Sequence, residues 1–271
     1  MSEPRDCVIR TENLTKQYNR GSFTAVDRVS FEMYRGEMLG LLGESGCGKS
    51  TLAGMIMHLI KPTEGKIFLN GVEIQELKES VFRNKRHQIQ MVYQNPFACL
   101  DPSMRVRKLL EEPLKIWFPK MDEATRLDKI RAILNECELQ ENCLHKYPKE
   151  FSGGQLQRLA IARALLVEPE VLVADEIISA LDVSVQNQVL SLLMRMKESH
   201  GLSILFITHD LSVAKMVSDR VMVMQSGHIK GIGMPAEVFS DSSDPYIREL
   251  EAAVFTFKES RQNRKNILKD V

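Results

Sequence analysis

No charge of either sign dominates this chain of 271 residues: 36 lysines and arginines meet 36 aspartates and glutamates. Without a net positive field, a role in coating nucleic acid is not expected, and no nucleic-acid partner is assigned. Long apolar runs are missing as well. Leu52–Ile60 is already broken by His58, well short of the roughly 18 apolar residues that suggest a membrane-crossing helix. The N-terminal MSEPRDCVIR is charged and has no apolar h-region, which predicts no secretory leader. The five cysteines (Cys7, Cys47, Cys99, Cys137, Cys143) are odd in number and form no CxxC pair. Reduced thiols in the cytosol are the expectation. Cys137 and Cys143 could form half of a metal site, but nothing completes it, so they read as helix-face packing. Internal repeats and low-complexity segments are also lacking.

What is present is ordinary globular material. At 44% hydrophobic and 27% charged residues, the chain can bury a sizeable core as one large domain, or as one domain with an appended subdomain. The first third reads as strands: Cys7–Leu14, Val29–Tyr34 and the apolar run Met38–Leu42, with Gly65–Asn70 and Ile89–Tyr93 to follow. A helix is predicted from the glycine-rich stretch after Leu42 to about Ile60, ahead of Lys61-Pro62. From Ser103 to Leu166 strand signals vanish and apolar residues recur at helical spacing: Leu109, Leu110, Leu114, then Leu127, Ile130, Ile133, Leu134. After Pro169 strands and helices alternate again. Val171–Ala174 and Ile204–Ile207 are short apolar runs suited to a parallel sheet, and Val183–Ser199 reads as a helix between them. The chain is therefore an α/β core interrupted by a helical insert. Residues 256–271 carry Lys258, Arg261, Arg264, Lys265 and Lys269 against Glu259 and Asp270. They read as a basic, solvated tail, with docking on an acidic or lipid surface as the alternative.

The chemistry begins at Gly43-Glu44-Ser45-Gly46-Cys47-Gly48-Lys49-Ser50-Thr51, which fits G-x-x-x-x-G-K-[ST]. It follows an apolar strand and opens a helix, as this motif requires. Such a loop curls its N–H groups around phosphate oxygens, aided by the positive end of the helix. Lys49 is expected on the β- and γ-phosphates of a nucleotide, and the Ser50 hydroxyl on Mg²⁺. A second carboxylate is needed at the end of a neighbouring buried strand. Val171-Leu172-Val173-Ala174-Asp175-Glu176 supplies it: Asp175 for the metal, Glu176 to polarise the attacking water. Lys49 and Asp175 lie far enough apart to hold a whole inserted subdomain. Cys47 sits beside a helix N-terminus and Lys49, both of which favour thiolate, and it reads either as a reactive thiol or as a small residue filling a tight slot.

Five further segments carry a resemblance. Glu150-Phe151-Ser152-Gly153-Gly154-Gln155 resembles the LSGGQ signature of ABC-type ATPases, with Phe151 in place of leucine. Gln94 matches the Q-loop, Ser179-Ala180-Leu181-Asp182 the D-loop, and His209 the switch histidine. Tyr18 matches the aromatic that stacks on adenine. The other histidines (His58, His87, His145, His200, His228) read as structural. Within that family, Tyr93–Pro102, Asp182–Gln186 and Asp244-Pro245-Tyr246-Ile247-Arg248-Glu249-Leu250 look like segments of the oligopeptide/dipeptide/nickel importer ATPases.

The resemblance implies a RecA-like P-loop NTPase core with an N-terminal antiparallel β subdomain and an inserted α-helical signature subdomain. The nucleotide-binding domain would span 1–255, with the insert at about 103–166 and a C-terminal extension at about 235–255. It implies ATP and Mg²⁺, the metal held by Ser50, Gln94 and Asp175. ATP would be sandwiched between two chains: Ser152, Gly153, Gly154 and Gln155, with Asp182 nearby, would face the phosphates bound by a second ATP-binding subunit, suggested to be a paralogue. Glu176 is the general-base candidate, His209 orients the water, and Gln94 senses metal and water. The surface around Pro96–Met104 would receive transmembrane permease subunits, which an extracytoplasmic solute-binding protein serves. That places the chain on the cytoplasmic face of the membrane as the hydrolytic subunit of a peptide or nickel importer. A soluble ABC ATPase acting on ribosomes or DNA is the alternative. Another is a regulatory subunit with weak hydrolysis, suggested by Ile177-Ile178, which stand where the family has proline and a small residue. No cysteine follows Cys143, so the iron–sulfur cluster of some relatives is not expected.

Overall fold

Residues 6–240 and 242–252 are described by the computed structural model. The chain opens with a long antiparallel hairpin, β1 (Cys7–Tyr18) and β2 (Phe23–Tyr34), joined by a 3-10 turn at Asn19–Gly21. Both strands outrun their predicted stretches because pairing continues to Tyr18 opposite Phe23. Register shifts along β1 break the alternation that the sequence displays. Next come β3 (Met38–Leu42), α1 (Lys49–Ile56), β4 (Glu64–Leu69), β5 (Val72–Glu73), the short α2 (Glu79–Phe82) and β6 (Ile89–Val92). Helix α1 stops a turn earlier than predicted. His58 takes a left-handed φ of 55°, and the N–H groups of Leu59 and Ile60 both fold back onto the Gly54 carbonyl. The chain thereby reverses into β4.

The insert holds α3 (Val106–Trp117), α4 (Glu123–Glu136) and α5 (Gly153–Leu165), with 3-10 turns at Glu141–His145 and Pro148–Glu150. Pro113 lies inside α3 and cannot donate to the Leu109 carbonyl. The guanidinium of Arg163 on α5 fills that role, donating from Nε at 3.2 Å while Nη2 pairs with Glu112 at 2.7 Å. A helix defect in sequence thus becomes an interhelix tie. The remaining elements are β7 (Val171–Asp175), α6 (Val183–His200), β8 (Ser203–Thr208), α7 (Leu211–Val217), β9 (Arg220–Gln225), β10 (His228–Gly233), α8 (Pro235–Ser240) and helical residues 245–252. The β9–β10 hairpin was not apparent from periodicity. Its turn uses Ser226 and Gly227 at φ 47° and 83°, the conformation a tight hairpin requires. The basic tail expected at 256–271 lies outside the described residues.

Two sheets result. One is antiparallel, in the order β2-β1-β4-β5; the other runs β10-β9-β3-β8-β7-β6 and is parallel except for β9–β10. Successive side chains of a strand point to opposite faces, and both faces of the parallel sheet are covered. Val171, Val173, Leu205 and Ile207 join α1 and the antiparallel sheet in one core. Leu172, Ala174, Ile204 and Phe206 join the helical insert and α6 in another. That double coverage is why β7 and β8 read as continuous apolar runs.

Candidate nucleotide site

Strand register decides which loops meet. β3, β8, β7 and β6 are parallel neighbours, with Leu42 opposite Thr208, Asp175 opposite Ile207, and Val92 opposite Ala174. The residues following each strand therefore emerge along one carboxyl edge: Gly43 after β3, His209 after β8, Glu176 after β7 and Gln94 after β6. Ligands of open α/β sheets bind at this edge.

At the centre, the loop 43–48 leads into α1. Gly48 caps that helix at φ 112°, and a side chain there would run into the Ala25 carbonyl and lie 2.8 Å from Met224 Cε. Only glycine fits both the angle and the space. The first N–H groups of α1 have no intrahelical acceptor, so they are available to an anion at the positive end of the helix. Lys49 is buried, and its ammonium donates to the carbonyls of Gly43 at 2.7 Å and Glu44 at 2.9 Å. Ser50 and Ser45 are exposed at the rim, Thr51 half-buried, and Gly46 open to solvent.

Cys47 faces the other way. Its thiol is buried 4.0 Å from the Lys49 ammonium, and it occupies the space into which a Gly43 side chain would project. Burial pushes its pKa up, and the opposing pull of Lys49 and the neighbouring backbone N–H groups is smaller. Of the two readings of this residue, the thiolate is disfavoured, because desolvation outweighs proximity to positive charge. The packed-slot alternative describes the geometry.

The two acids differ. Asp175 is half-buried at the end of β7, and its pKa is raised first by burial and then by the Glu176 charge, with Lys49 pulling the other way. Glu176 has a left-handed backbone, φ 48°, unusual for a non-glycine residue. Its N–H bonds the Ile207 carbonyl at 3.0 Å, and its Oε2 lies 3.5 Å from His209 Nδ1. Ile177 and Ile178 are buried in the core shared with the helical insert, at 2% and 3% exposure. Where the family pattern has a proline ring, packing of two isoleucines holds this turn. Gln94 reaches the same turn: its Nε2 donates to Ser179 Oγ at 3.0 Å, and that hydroxyl donates to the Glu176 carbonyl at 2.9 Å. Ser179, matched in sequence only as the first residue of the D-loop segment, is the link between them.

The signature segment is a helix start. Ser152 caps α5 in a reciprocal box with Gln155: Ser152 N–H donates to Gln155 Oε1 at 3.1 Å, and Gln155 N–H to Ser152 Oγ at 3.4 Å. Ser152 and Gly153 are exposed, whereas Gly154 is buried against Val185 of α6. Asp182 caps α6, accepting from Val185 N–H at 3.0 Å. Tyr18 is half-exposed at the hairpin end, its ring stacked 6.4 Å from Phe23 and the Lys16 ammonium 5.2 Å from its centroid. Among the described residues, Ser152, Asp182 and Tyr18 make no hydrogen bond or ion pair with Lys49 or Glu176.

The sequence profile of the ABC transporter family matches residues 26–179. The chain belongs to the ABC transporter family. It is similar to the oligopeptide transport ATP-binding protein OppF of Haemophilus influenzae, 45% identical over 230 residues that cover 85% of this chain and 69% of the relative. OppF of Streptococcus mutans is 42% identical over 257 residues, covering 94% and 83%. Among solved structures, cbiO1 from Clostridium perfringens, part of the ABC transporter complex cbiONQ, superposes with a TM-score of 0.80. It is 28% identical and covers 95% of this chain and 99% of that one. The dimeric ATP-binding cassette MJ0796, in a post-hydrolysis state bound to ADP and Pi, gives 0.75 at 29% identity, covering 84% and 98%. This ABC chain is thus an ATP-binding cassette and an ATPase, built on a P-loop NTPase fold with a helical insert.

Proposed function

We propose that the chain is the ATP-hydrolysing subunit of a peptide importer, working at the cytoplasmic face of a membrane. The observation that carries this reading is the single carboxyl edge that gathers Lys49, Asp175, Glu176, Gln94 and His209, in a chain whose relatives are named as oligopeptide transport ATP-binding proteins. No helix among the described residues is long and apolar enough to cross a membrane. Transport then needs permease subunits, for which the exposed segment around Phe97 is the docking surface, and an extracytoplasmic solute-binding protein to deliver cargo.

The residues fit a nucleotide with a hard cation. The described residues contain no cluster of three His, Cys, Asp or Glu that would cage a metal alone. One hydroxyl, Ser50, and one half-buried carboxylate, Asp175, would hold Mg²⁺ together with Gln94, leaving room for phosphate and water. Bound Mg²⁺ would neutralise charge on the phosphoryl oxygens. The N-terminus of α1 holds the β- and γ-phosphates, and Lys49 exchanges its loop carbonyls for phosphate oxygens. Glu176 accepts the proton of the attacking water as that oxygen bonds to the γ-phosphorus. The bond to the bridging oxygen breaks, leaving ADP and Pi. His209, 3.5 Å from Glu176, orients the water and the γ-phosphate. The chain Gln94–Ser179–Glu176 carries the state of the phosphates toward the helical insert.

A second ATP-binding subunit, suggested by subfamily resemblance to be a paralogue, completes the site. Its signature helix, equivalent to Ser152, Gly153, Gly154 and Gln155 here, would cap the γ-phosphate, with Tyr18 under the adenine ring and Asp182 at the dimer seam. Closure of that sandwich shifts the permease between inward- and outward-facing states. The test is ATPase activity of the membrane complex copurified on this chain, wild type against Glu176→Gln. Mg²⁺-dependent turnover that the substitution abolishes, with permease subunits present, is the expected result. Equal turnover in the two proteins would remove Glu176 as the base. Turnover without any membrane partner would move the chain to a soluble ABC role.

A further inference from the structure

The C-terminal segment reaches the phosphate loop. Tyr246, one residue into the last described helix, is buried, and its hydroxyl accepts the N–H of Glu44 at 3.2 Å. The carbonyl of Gly43 in that same peptide unit accepts the Lys49 ammonium at 2.7 Å. The Gly43–Glu44 peptide is therefore gripped at both ends, by the lysine that the motif provides and by a phenol from some two hundred residues downstream. Hydrogen bonds in such a chain polarise one another. Burial raises the Tyr246 pKa, which keeps the phenol neutral.

The anchor of this phenol is well built. The Asp244 carboxylate accepts the Tyr246 N–H at 2.8 Å and lies 3.9 Å from the Lys230 ammonium. Ile247 presses on β10 where Gly231 leaves room; a side chain there would stand 2.9 Å from Ile247 Cδ1. Glu251 pairs with Lys215 of α7 at 2.6 Å. Tyr246 and Ile247 share an apolar cluster with Leu42, the last residue of β3, and with Leu211 and Ala214 of α7, the helix that starts just after His209. One short segment thus reaches both the loop that follows β3 and the helix that follows β8.

We propose that Tyr246 is a positioning residue for nucleotide binding: its hydroxyl holds the Gly43–Glu44 peptide so that the loop and Lys49 are preset for phosphate. This deepens the ATPase reading above and rests on it. The experiment compares full-length wild type, Tyr246→Phe, Tyr246→Ala and Lys49→Ala for ATP affinity, for KM and kcat in the complex, and for melting temperature without nucleotide. Removing one hydrogen bond of ordinary strength predicts a rise of about three- to tenfold in the Kd and KM for ATP of Tyr246→Phe. Its kcat should stay within about twofold and its melting temperature should fall by no more than the few degrees one hydrogen bond is worth, because the ring still fills its pocket. Tyr246→Ala should raise KM at least as far and melt lower. A merely structural tyrosine would instead lower stability without splitting KM from kcat. Wild-type affinity in Tyr246→Phe overturns the inference while leaving the ATPase reading intact. Wild type that binds ATP no better than Lys49→Ala overturns both.

Discussion

Substitution of the two signature glycines separates folding from catalysis. They are neighbours in sequence but not in surroundings. An alanine at 154 would place its methyl well under 3.0 Å from Val185 Cγ1, on a helix whose own packing holds it in place. An alanine at 153 would lie 3.5 Å from Leu181 Cδ2, an ordinary contact. Overpacking of this kind costs about 1–3 kcal/mol, and the helix propensity gained from Gly→Ala offsets at most ~1 kcal/mol of it. Gly154→Ala should therefore destabilise by roughly 1–2 kcal/mol, which in a chain of this size lowers the melting temperature by about 2–6 °C. Gly153→Ala should melt like wild type yet lose about tenfold or more in turnover, because its methyl obstructs the helix N-terminus offered to the partner's γ-phosphate. Val185→Ala leaves Cβ at 3.5 Å from the position-154 methyl, so the Gly154→Ala/Val185→Ala pair should regain part of the lost stability. Thermal and denaturant melts of the nucleotide-free chain, with ATPase assays of the complex, read all four proteins. Equal melting of the position-153 and position-154 variants would refute the packing argument, whatever their activity.

Two further outcomes follow from the charges and thiols. Asp175 has a raised carboxyl pKa in the folded chain, from burial and then from Glu176. A folded carboxyl that holds its proton to higher pH loses stability as pH rises through its folded pKa. Asp175→Asn should therefore melt above wild type at neutral pH in EDTA, and the gap should close below the ordinary aspartate pKa of about 3.9. A variant that melts no higher at pH 7 would contradict this. Cys47, buried with an upshifted pKa, should react with maleimide more slowly at neutral pH than the half-exposed Cys7, read by mass spectrometry. Fast, selective labelling of Cys47 would restore the reactive-thiol reading.

Much of the site was legible without coordinates because its parts are local. The loop 43–51 needs glycines, a lysine and a hydroxyl in a row, and Asp175-Glu176 close an apolar run; each pattern carries its own chemistry. The continuous apolar runs of β7 and β8 and the change to helical spacing after Ser103 are likewise short-range consequences of side-chain type. At position 47 the sequence left two readings open, since it displays the nearby charges but not the desolvation that opposes them.

Long-range geometry was decided by the fold alone. Parallel register, with Leu42 opposite Thr208 and Asp175 opposite Ile207, brings four loops to one edge, and no local pattern encodes a register across strands. Neither the Arg163 donor that completes the Pro113 helix nor the Tyr246 hydroxyl on the phosphate loop is readable from spacing. The same is true of Gly154 against Val185 and of Ile177 and Ile178 in the core. Residue type and order determined what chemistry this chain carries. Which groups meet, and which are shielded from water, depended on packing between segments distant in sequence, because burial and contact are properties of the assembled chain.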